Sequence, residues 1–310
     1  MNERYETVKR LSGKYTVYAL CEALDVSRAG YYAWNTRKPG KREREDAAIR
    51  REILLSHAAA PTYGTDNIHA DVREKIVCGR NRVRRLMKEM DIRSHRKRRY
   101  RAATNSRHAL PLSPNRLPGL ELTRPDQVWV GDITYIPTDE GWLYTAIVKD
   151  LFTREIVGHA TGDRITGELA ETALKRALAR YRPFRPKGAF QPRELIFHSD
   201  RGIQYCSHSY QKLLLQNNIV SSMSRKGNPY DNATAENFFS CLKCEMVYLN
   251  VFATRREASL AVFRYIEGFY NKRRRHESLG RIPPCEYRRR WGLAQARVGA
   301  ESATDTARGV

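Results

Sequence analysis

The sequence predicts an α/β protein: a mixed β-sheet core with helices on both faces, preceded by small all-α helix-turn-helix units. Three observations carry this reading. Before residue 105, apolar residues recur at helical spacing around short turns. After Pro125, three β-branched and aromatic runs follow one another, and then helical and strand patterns alternate. Between these halves lie Pro111, Pro114, Pro118 and Pro125 with little periodicity, which reads as an extended linker over 105–124.

The elements follow in chain order. Val17, Leu20 and Leu24 share one helical face. Asp25-Val26-Ser27 makes a short turn, Ser27 can cap the next helix, and Arg28 to Trp34 is the candidate recognition helix of a 1–58 DNA-binding segment. A charged connector, Asn35 to Glu45, precedes a helix from Glu43 to His57. A second basic helical unit fills 59–104: Ile68, Val72 and Ile76 recur at four-residue spacing, then Val83, Leu86, Met87 and Met90. Eleven basic residues fall between Arg80 and Arg101 against Glu89 and Asp91. Arg82, Arg84, Arg85, Arg96, Lys97, Arg98 and Arg99 therefore read as a phosphate-contacting stripe.

Past the linker, a core over 125–291 begins with strands at Gln127–Pro137, Trp142–Asp150 and Glu155–Thr161, separated by Asp139-Glu140-Gly141 and Thr153-Arg154. Helix is expected over Thr166–Tyr181, strand over Arg193–Ser199, helix over Ser207–Asn217 and strand over Ile219–Met223. Helices over Asp231–Met246 and Arg255–Asn271 complete it. The 292–310 tail, rich in Ala, Gly, Ser and Thr, is expected to be disordered.

The 310 residues and 41% apolar content suffice for two or three domains. The formal net charge of +22 marks a surface that attracts polyanions. Residues 1–120 hold 27 basic and 13 acidic residues, so the main nucleic-acid grip is expected there. The six cysteines show no disulfide framework, and Cys241-x-x-Cys244 has no second pair at zinc spacing. Free thiols fit a reducing cytoplasm. No signal peptide and no membrane-length apolar run is present, so no membrane partner is expected.

Three acids stand out. Asp132 lies inside an apolar strand run, where a carboxylate is costly unless paired or metal-bound. Asp200 ends a buried strand and precedes Arg201-Gly202; sites in open α/β sheets form beyond carboxyl strand ends. Glu236 lies on a helix, and Lys243, seven residues on, returns to nearly the same face. Converging carboxylates repel one another unless a cation lies between them, and hard divalent ions prefer oxygen ligands. Asp150, Asp163 and Asp231 are rival ligands, Asp231 looking more like an N-cap. His198 reads as a packing residue or a support to ligands.

These residues sit in blocks that resemble the bacterial insertion-sequence transposases of the two-reading-frame type, downstream frame, within the DDE/retroviral-integrase superfamily. The blocks are Trp129-Val130-Gly131-Asp132-Ile133-Thr134-Tyr135-Ile136, His198-Ser199-Asp200-Arg201-Gly202-x-Gln204-Tyr205 and Ser224-Arg225-Lys226-Gly227-Asn228-Pro229-Tyr230-Asp231-Asn232-Ala233. Glu236-Asn237-Phe238-Phe239-x-x-Leu242-Lys243-x-Glu245, Ile266-Glu267-x-Phe269-Tyr270-Asn271 and Arg275-His276-x-Ser278-Leu279-Gly280 follow. The 35 residues between Asp200 and Glu236 match the family spacing.

The resemblance implies an RNase H-like core in which Asp132, Asp200 and Glu236 are catalytic and hold two Mg²⁺ or Mn²⁺ ions per active site. It implies cutting of element ends and joining of the 3′-hydroxyl to DNA by two-metal phosphoryl transfer, without a covalent protein–DNA intermediate. Lys243 matches the family's basic residue after the glutamate. With Lys226, Arg225 and Arg28, it is expected to contact DNA. Expected partners are double-stranded DNA, both element ends and target, further copies of the chain on that DNA, and an upstream-frame protein or fusion. The expected location is the bacterial cytoplasm, at the nucleoid.

Two positions depart from the pattern. Tyr63-Gly64-Thr65-Asp66-Asn67-Ile68 replaces the usual Tyr-Gly-x-Arg-Arg-Ile, so DNA contact by that turn is not carried over. Gly131 stands where Thr is common, a change expected to be tolerated. The His₂Cys₂ spacing that precedes retroviral integrase cores is missing. The alternatives are a catalytically silent DNA-binding regulator and a structure-specific nuclease of the same fold.

The charge makes a direct prediction. DNA affinity, followed by anisotropy, is expected to fall by about 10³-fold or more between roughly 50 and 200 mM salt. A flat response contradicts phosphate-dominated binding.

Overall fold

The computed structural model describes residues 1–38, 40–95, 112–181, 195–224 and 233–308, with the backbone alone at 181, 233–236 and 297–308. It divides into two compact units, 1–59 with 71–93, and 60–70 with 94–310. These bounds differ from those expected, because the 60–70 segment belongs with the core.

In the first unit, helices α1 (Asn2–Leu11), α2 (Val17–Ala23) and α3 (Arg28–Thr36) enclose Val8, Leu20, Cys21 and Tyr31. The α2–turn–α3 pair matches the expected helix-turn-helix. Ser27 caps α3 by accepting the Gly30 amide at 3.0 Å, the role its position predicted. Helix α1 has no counterpart in the expectations: its ten residues bury only Val8, too little apolar periodicity to register. Helices α4 (Lys41–Ala59), α5 (Thr65–Arg73) and α6 (Arg80–Glu89) follow, the division between units falling within α5. Ile49, Ile53, Val83 and Leu86 are fully buried.

The second unit is built on one five-stranded sheet. Its strands are β1 (Val128–Thr138), β2 (Gly141–Asp150), β3 (Ile156–Gly162), β4 (Leu195–Ser199) and β5 (Ile219–Met223), in the order β3-β2-β1-β4-β5. The first three form an antiparallel meander; β4 and β5 run parallel to β1. This is the mixed sheet that the pattern predicted, in the RNase H-like form that the resemblance implied. Helices α7 (Gly167–Tyr181), α8 (Ile203–Cys206) and α9 (His208–Gln216) come between β3 and β5. Helices α10 (Ala233–Glu245), α11 (Arg255–Phe263) and α12 (Pro284–Arg308) come after β5. A π-helical stretch, Arg264–Tyr270, continues α11; the plain helix expected there gives no sign of it.

Strand alternation separates two cores. On one face Trp129, Ala146, Val148 and Phe197 pack with Leu174 and Ala177 of α7 and Tyr210 of α9. Gly158 lets α7 approach: a Cβ there would lie 2.2 Å from the Ala173 carbonyl. On the other face Ile136, Leu143, Ile147 and Ile156 pack with Phe238, Phe239 and Leu242 of α10 and with Val262 and Ile266.

Polar braces tie later segments to this sheet. The fully buried Asn271 side chain accepts the Ile156 amide at 2.9 Å and donates to the Ile156 carbonyl at 3.0 Å, securing edge strand β3. Arg288 joins Asp126 at 2.8 and 3.1 Å to Glu155 at 2.7 Å. Tyr63, from the 60–70 segment, accepts the Arg275 amide at 2.8 Å and donates to the Arg273 carbonyl at 3.3 Å. Asn67 accepts from Arg281 at 3.1 Å, and Asp66 lies 3.5 Å from the same guanidinium. The departure from Arg-Arg at this turn thus supplies acceptors for Arg281.

Two expectations are corrected. The described part of the linker is a packed strap: Leu117, Leu120 and Leu122 cover Val128, Val130 and Leu151, and the Arg116 amide donates to Ser222 Oγ at 3.0 Å. Its prolines hid the leucine pattern. The tail is helical through Arg308 rather than disordered, since its alanines, Gln295, Arg297 and Glu301 are good helix formers.

Gly131 is held to glycine by its neighbours. A Cβ there would lie 2.4 Å from Phe197 Cζ and 3.2 Å from Tyr205 Cε1, both rings buried. Gly131→Ala is therefore expected to cost about 1–3 kcal/mol in denaturant unfolding, with part recovered in Gly131→Ala/Phe197→Leu. An unchanged midpoint in the single variant contradicts this packing.

Candidate active site

The two aspartates are brought together by strand pairing. β1 and β4 are parallel, with Val130 opposite His198 and Gly131 opposite Ser199. The next positions on each chain are Asp132 and Asp200. Adjacent strands lie about 4.8 Å apart, so this register makes the two acids neighbours at the carboxyl end of β4. Asp132 shares the strand parity of Ile136, whose face α10 covers with Phe238, Phe239 and Leu242. Helix α10 packs directly on β1 and carries Glu236 in its first turns. The Glu236 side chain lies outside the described residues.

Each aspartate is oriented by the backbone. Asp132 Oδ1 accepts the Ile133 amide at 2.8 Å, and Asp200 Oδ1 accepts the Gly202 amide at 2.9 Å. Gly202 permits this close turn: a Cβ there would approach Asp200 Oδ1 to 2.9 Å. Tyr205 is buried beside them. Its hydroxyl has no hydrogen-bond partner among the described residues, and burial, then the charges of Tyr210, Asp132 and Asp200, hold its pKa well above the ordinary value. The sequence marks Tyr205 only by its place one helical turn past Gly202, which brings it beside Asp200.

Lys243 of α10 faces Tyr135 of β1. Its Nζ lies 4.8 Å from the Tyr135 ring centroid. Burial lowers its pKa, and the Asp132 charge opposes that shift. His198 is fully buried and shares a 2.9 Å hydrogen bond with Ser222 Oγ, a packing role as expected. Of the rival acids, Asp150 is committed elsewhere. It accepts the Asp126 amide at 2.8 Å and the Thr153 amide at 2.6 Å, and burial pushes its pKa up to about 6. Asp163 is exposed, and Asp231 lies outside the described residues. Cys241 accepts from Arg274 at 3.1 Å.

The basic residues divide. Arg82 binds Asp46 at 2.6 Å and Glu45 at 3.0 Å; Arg85 binds Asp46 at 2.7 Å and also pairs with Glu89. Both join α6 to α4 through these carboxylates, partners that the sequence shows only as charges of unknown pairing. Arg84 on the same helix is exposed. Arg28 opens α3 with its guanidinium 5.2 Å from the Tyr18 ring. Arg96, Lys97, Arg98, Arg99, Arg225 and Lys226 lie outside the described residues.

The donor set suits a hard divalent cation. Asp132 and Asp200 each follow a paired strand position, a third acid is carried on the helix that packs on β1, and all three offer oxygen ligands.

Comparison with known proteins agrees with this architecture. Integrase core domain models match residues 123–229 and 236–291, and an HTH-like domain model matches 43–100. The HTH-like match thus falls on α4 to α6, whereas the sequence reading placed the first helix-turn-helix within 1–58. The insertion element IS600 uncharacterized 31 kDa protein of Shigella sonnei is 44% identical over 275 residues, covering 88% of this chain and 98% of that protein. Transposase InsF for insertion sequence IS3A of Escherichia coli (strain K12) is 34% identical over 289 residues, covering 92% and 98%. Among solved structures, the catalytic core domain of BIV integrase aligns with 16% identity and a TM-score of 0.40, covering 55% of this chain and 99% of that one. By sequence, this chain belongs to the insertion-sequence transposases built on an integrase core domain.

Proposed function

We propose that this protein cuts DNA at the ends of its element and joins the resulting 3′-hydroxyls to target DNA, by two-metal phosphoryl transfer. The observation that supports this reading is the parallel register of β1 and β4, which pairs Gly131 with Ser199, one residue before Asp132 and Asp200, on a strand that α10 packs against. Asp132, Asp200 and Glu236 would hold two Mg²⁺ or Mn²⁺ ions. Such ions, when bound, supply Lewis-acid stabilisation of the attacking and leaving oxygens at phosphorus.

The remaining roles belong to the chain. The Ile133 and Gly202 amides fix one oxygen of each aspartate, so the carboxylates are oriented before any ligand arrives. Lys243, held against Tyr135 near Asp132, is placed to take a phosphate of the bound strand. Arg28 on α3 and Arg84 on α6 are positioned to grip the DNA backbone outside the core. Arg96 to Arg99, Arg225 and Lys226 extend that grip in the sequence. Joining two element ends requires two copies on DNA. A DNA substrate places the work in the cytoplasm, at the nucleoid.

Asp200→Asn tests the reading. Cleavage and strand joining on inverted-repeat DNA with Mg²⁺ are expected to fall by about 10³-fold, the loss that several kcal/mol of Lewis-acid stabilisation implies, while end affinity is kept. A variant that cuts and joins like the parent contradicts the mechanism. A parent that leaves cut DNA and never joined strands is a nuclease; a parent that binds ends and never cuts is a regulator.

A further inference from the structure

We propose that Trp142, backed by Tyr135, is a stacking platform for a base that leaves the duplex near the scissile phosphate of the bound DNA end. The proposal rests on the transposase reading above. Trp142 lies at the start of β2, opposite Pro137, and is 48% exposed. Its ring meets Tyr135 edge-on at 4.9 Å between centroids. The Tyr135 ring in turn carries Lys243 Nζ at 4.8 Å, and Lys243 feels the charge of Asp132. Lys243, Tyr135 and Trp142 therefore form a line of side chains from α10, the helix that carries Glu236, to an exposed indole.

The surroundings favour a nucleotide. β4 pairs with β1 only as far as Gly131, so among the described residues the later part of β1 has a strand neighbour on the β2 side alone. The indole is displayed on a fixed hairpin. The Trp142 carbonyl accepts Arg255 Nε at 3.1 Å, the Arg255 amide donates to Glu140 at 2.8 Å, and Gly141 takes the positive φ of 102° that the turn needs. An exposed indole, with Lys243 over the neighbouring Tyr135 ring and Arg255 bonded to its own carbonyl, suits a base with phosphates nearby. Ile147 is opposite Asp132, and the five strand residues from there to Trp142 span about 17 Å, an odd step that turns the indole to the α7 face, reached from Lys243 by way of Tyr135. At about 3.4 Å per stacked nucleotide, the captured base lies within about five nucleotides of the cut.

The test measures binding and needs no cleavage. The full chain is titrated by fluorescence anisotropy with two duplexes of the inverted repeat that flanks its coding sequence. One is fully paired; the other is mismatched over the five terminal positions. The parent is expected to prefer the mismatched end by about tenfold or more, the range of one base stacked on an aromatic ring. Trp142→Ala is expected to reduce that preference below about twofold while keeping paired-end affinity within about twofold, and Trp142→Phe to retain most of it.

The proposal is overturned if the parent shows no preference or if Trp142→Ala keeps it. It is also overturned if Trp142→Ala weakens both duplexes alike. A change of oligomeric state in Trp142→Ala with the preference intact would assign the indole to a second copy of the chain and overturn it too. A parent that binds ends yet never cuts defeats the transposase reading, while the preference for opened ends still decides the platform.

Discussion

The account depends on one pairing: β4 lies parallel to β1 with Gly131 opposite Ser199. A slip of one residue would turn Asp132 or Asp200 to the opposite face of the sheet and separate the acids. The register is protected from both sides. Phe197 fills the space where a side chain at Gly131 would stand, and His198, bonded to Ser222, ties β4 to β5. Each aspartate then bonds to a nearby amide. In the proposed function, a bound cation would offset the repulsion between the two carboxylates.

The same economy governs the basic residues. A net charge of +22 describes attraction to polyanions, but part of that charge is spent inside the protein. Arg82 and Arg85 fasten α6 to α4 through Asp46, whose carboxyl the neighbouring Arg85 hydrogen bond holds below the ordinary range. Arg288 binds Asp126 and Glu155, and Arg274 binds Glu245 at 2.7 Å. Losing either of these largely buried partners would leave a carboxylate uncompensated, which is why they read as structural. Arg28, Arg84 and Lys243 stand outside these clusters, Arg28 and Arg84 at the surface and Lys243 near the acids.

Much of this was legible in the sequence because it depends on local periodicity. The β-branched runs gave all five strands within two residues of their observed ends, and Ser27 announced the start of α3. The seven-residue spacing gave Lys243 a helix face in common with Glu236, and the structure adds that this lysine lies over the Tyr135 ring. What stayed hidden depends on partners distant in the chain. Asp66 and Asn67 looked like a defect in a DNA-contacting turn until Arg281 was seen between them. Leu117, Leu120 and Leu122 looked like linker because prolines interrupt them, yet they cover the sheet. Glycine at 131, where threonine is common, is accommodated because the Phe197 ring fills the space of a side chain, a contact the sequence does not show.

The central claim is that Asp132, Asp200 and Glu236 share divalent cations, and anomalous diffraction from Mn²⁺-soaked crystals of the chain bound to an inverted-repeat duplex tests it most directly. The account predicts manganese signal between the Asp132 and Asp200 carboxylates, with Glu236 among the ligands. Signal bound by other residues, or none with both aspartates ordered, would contradict it.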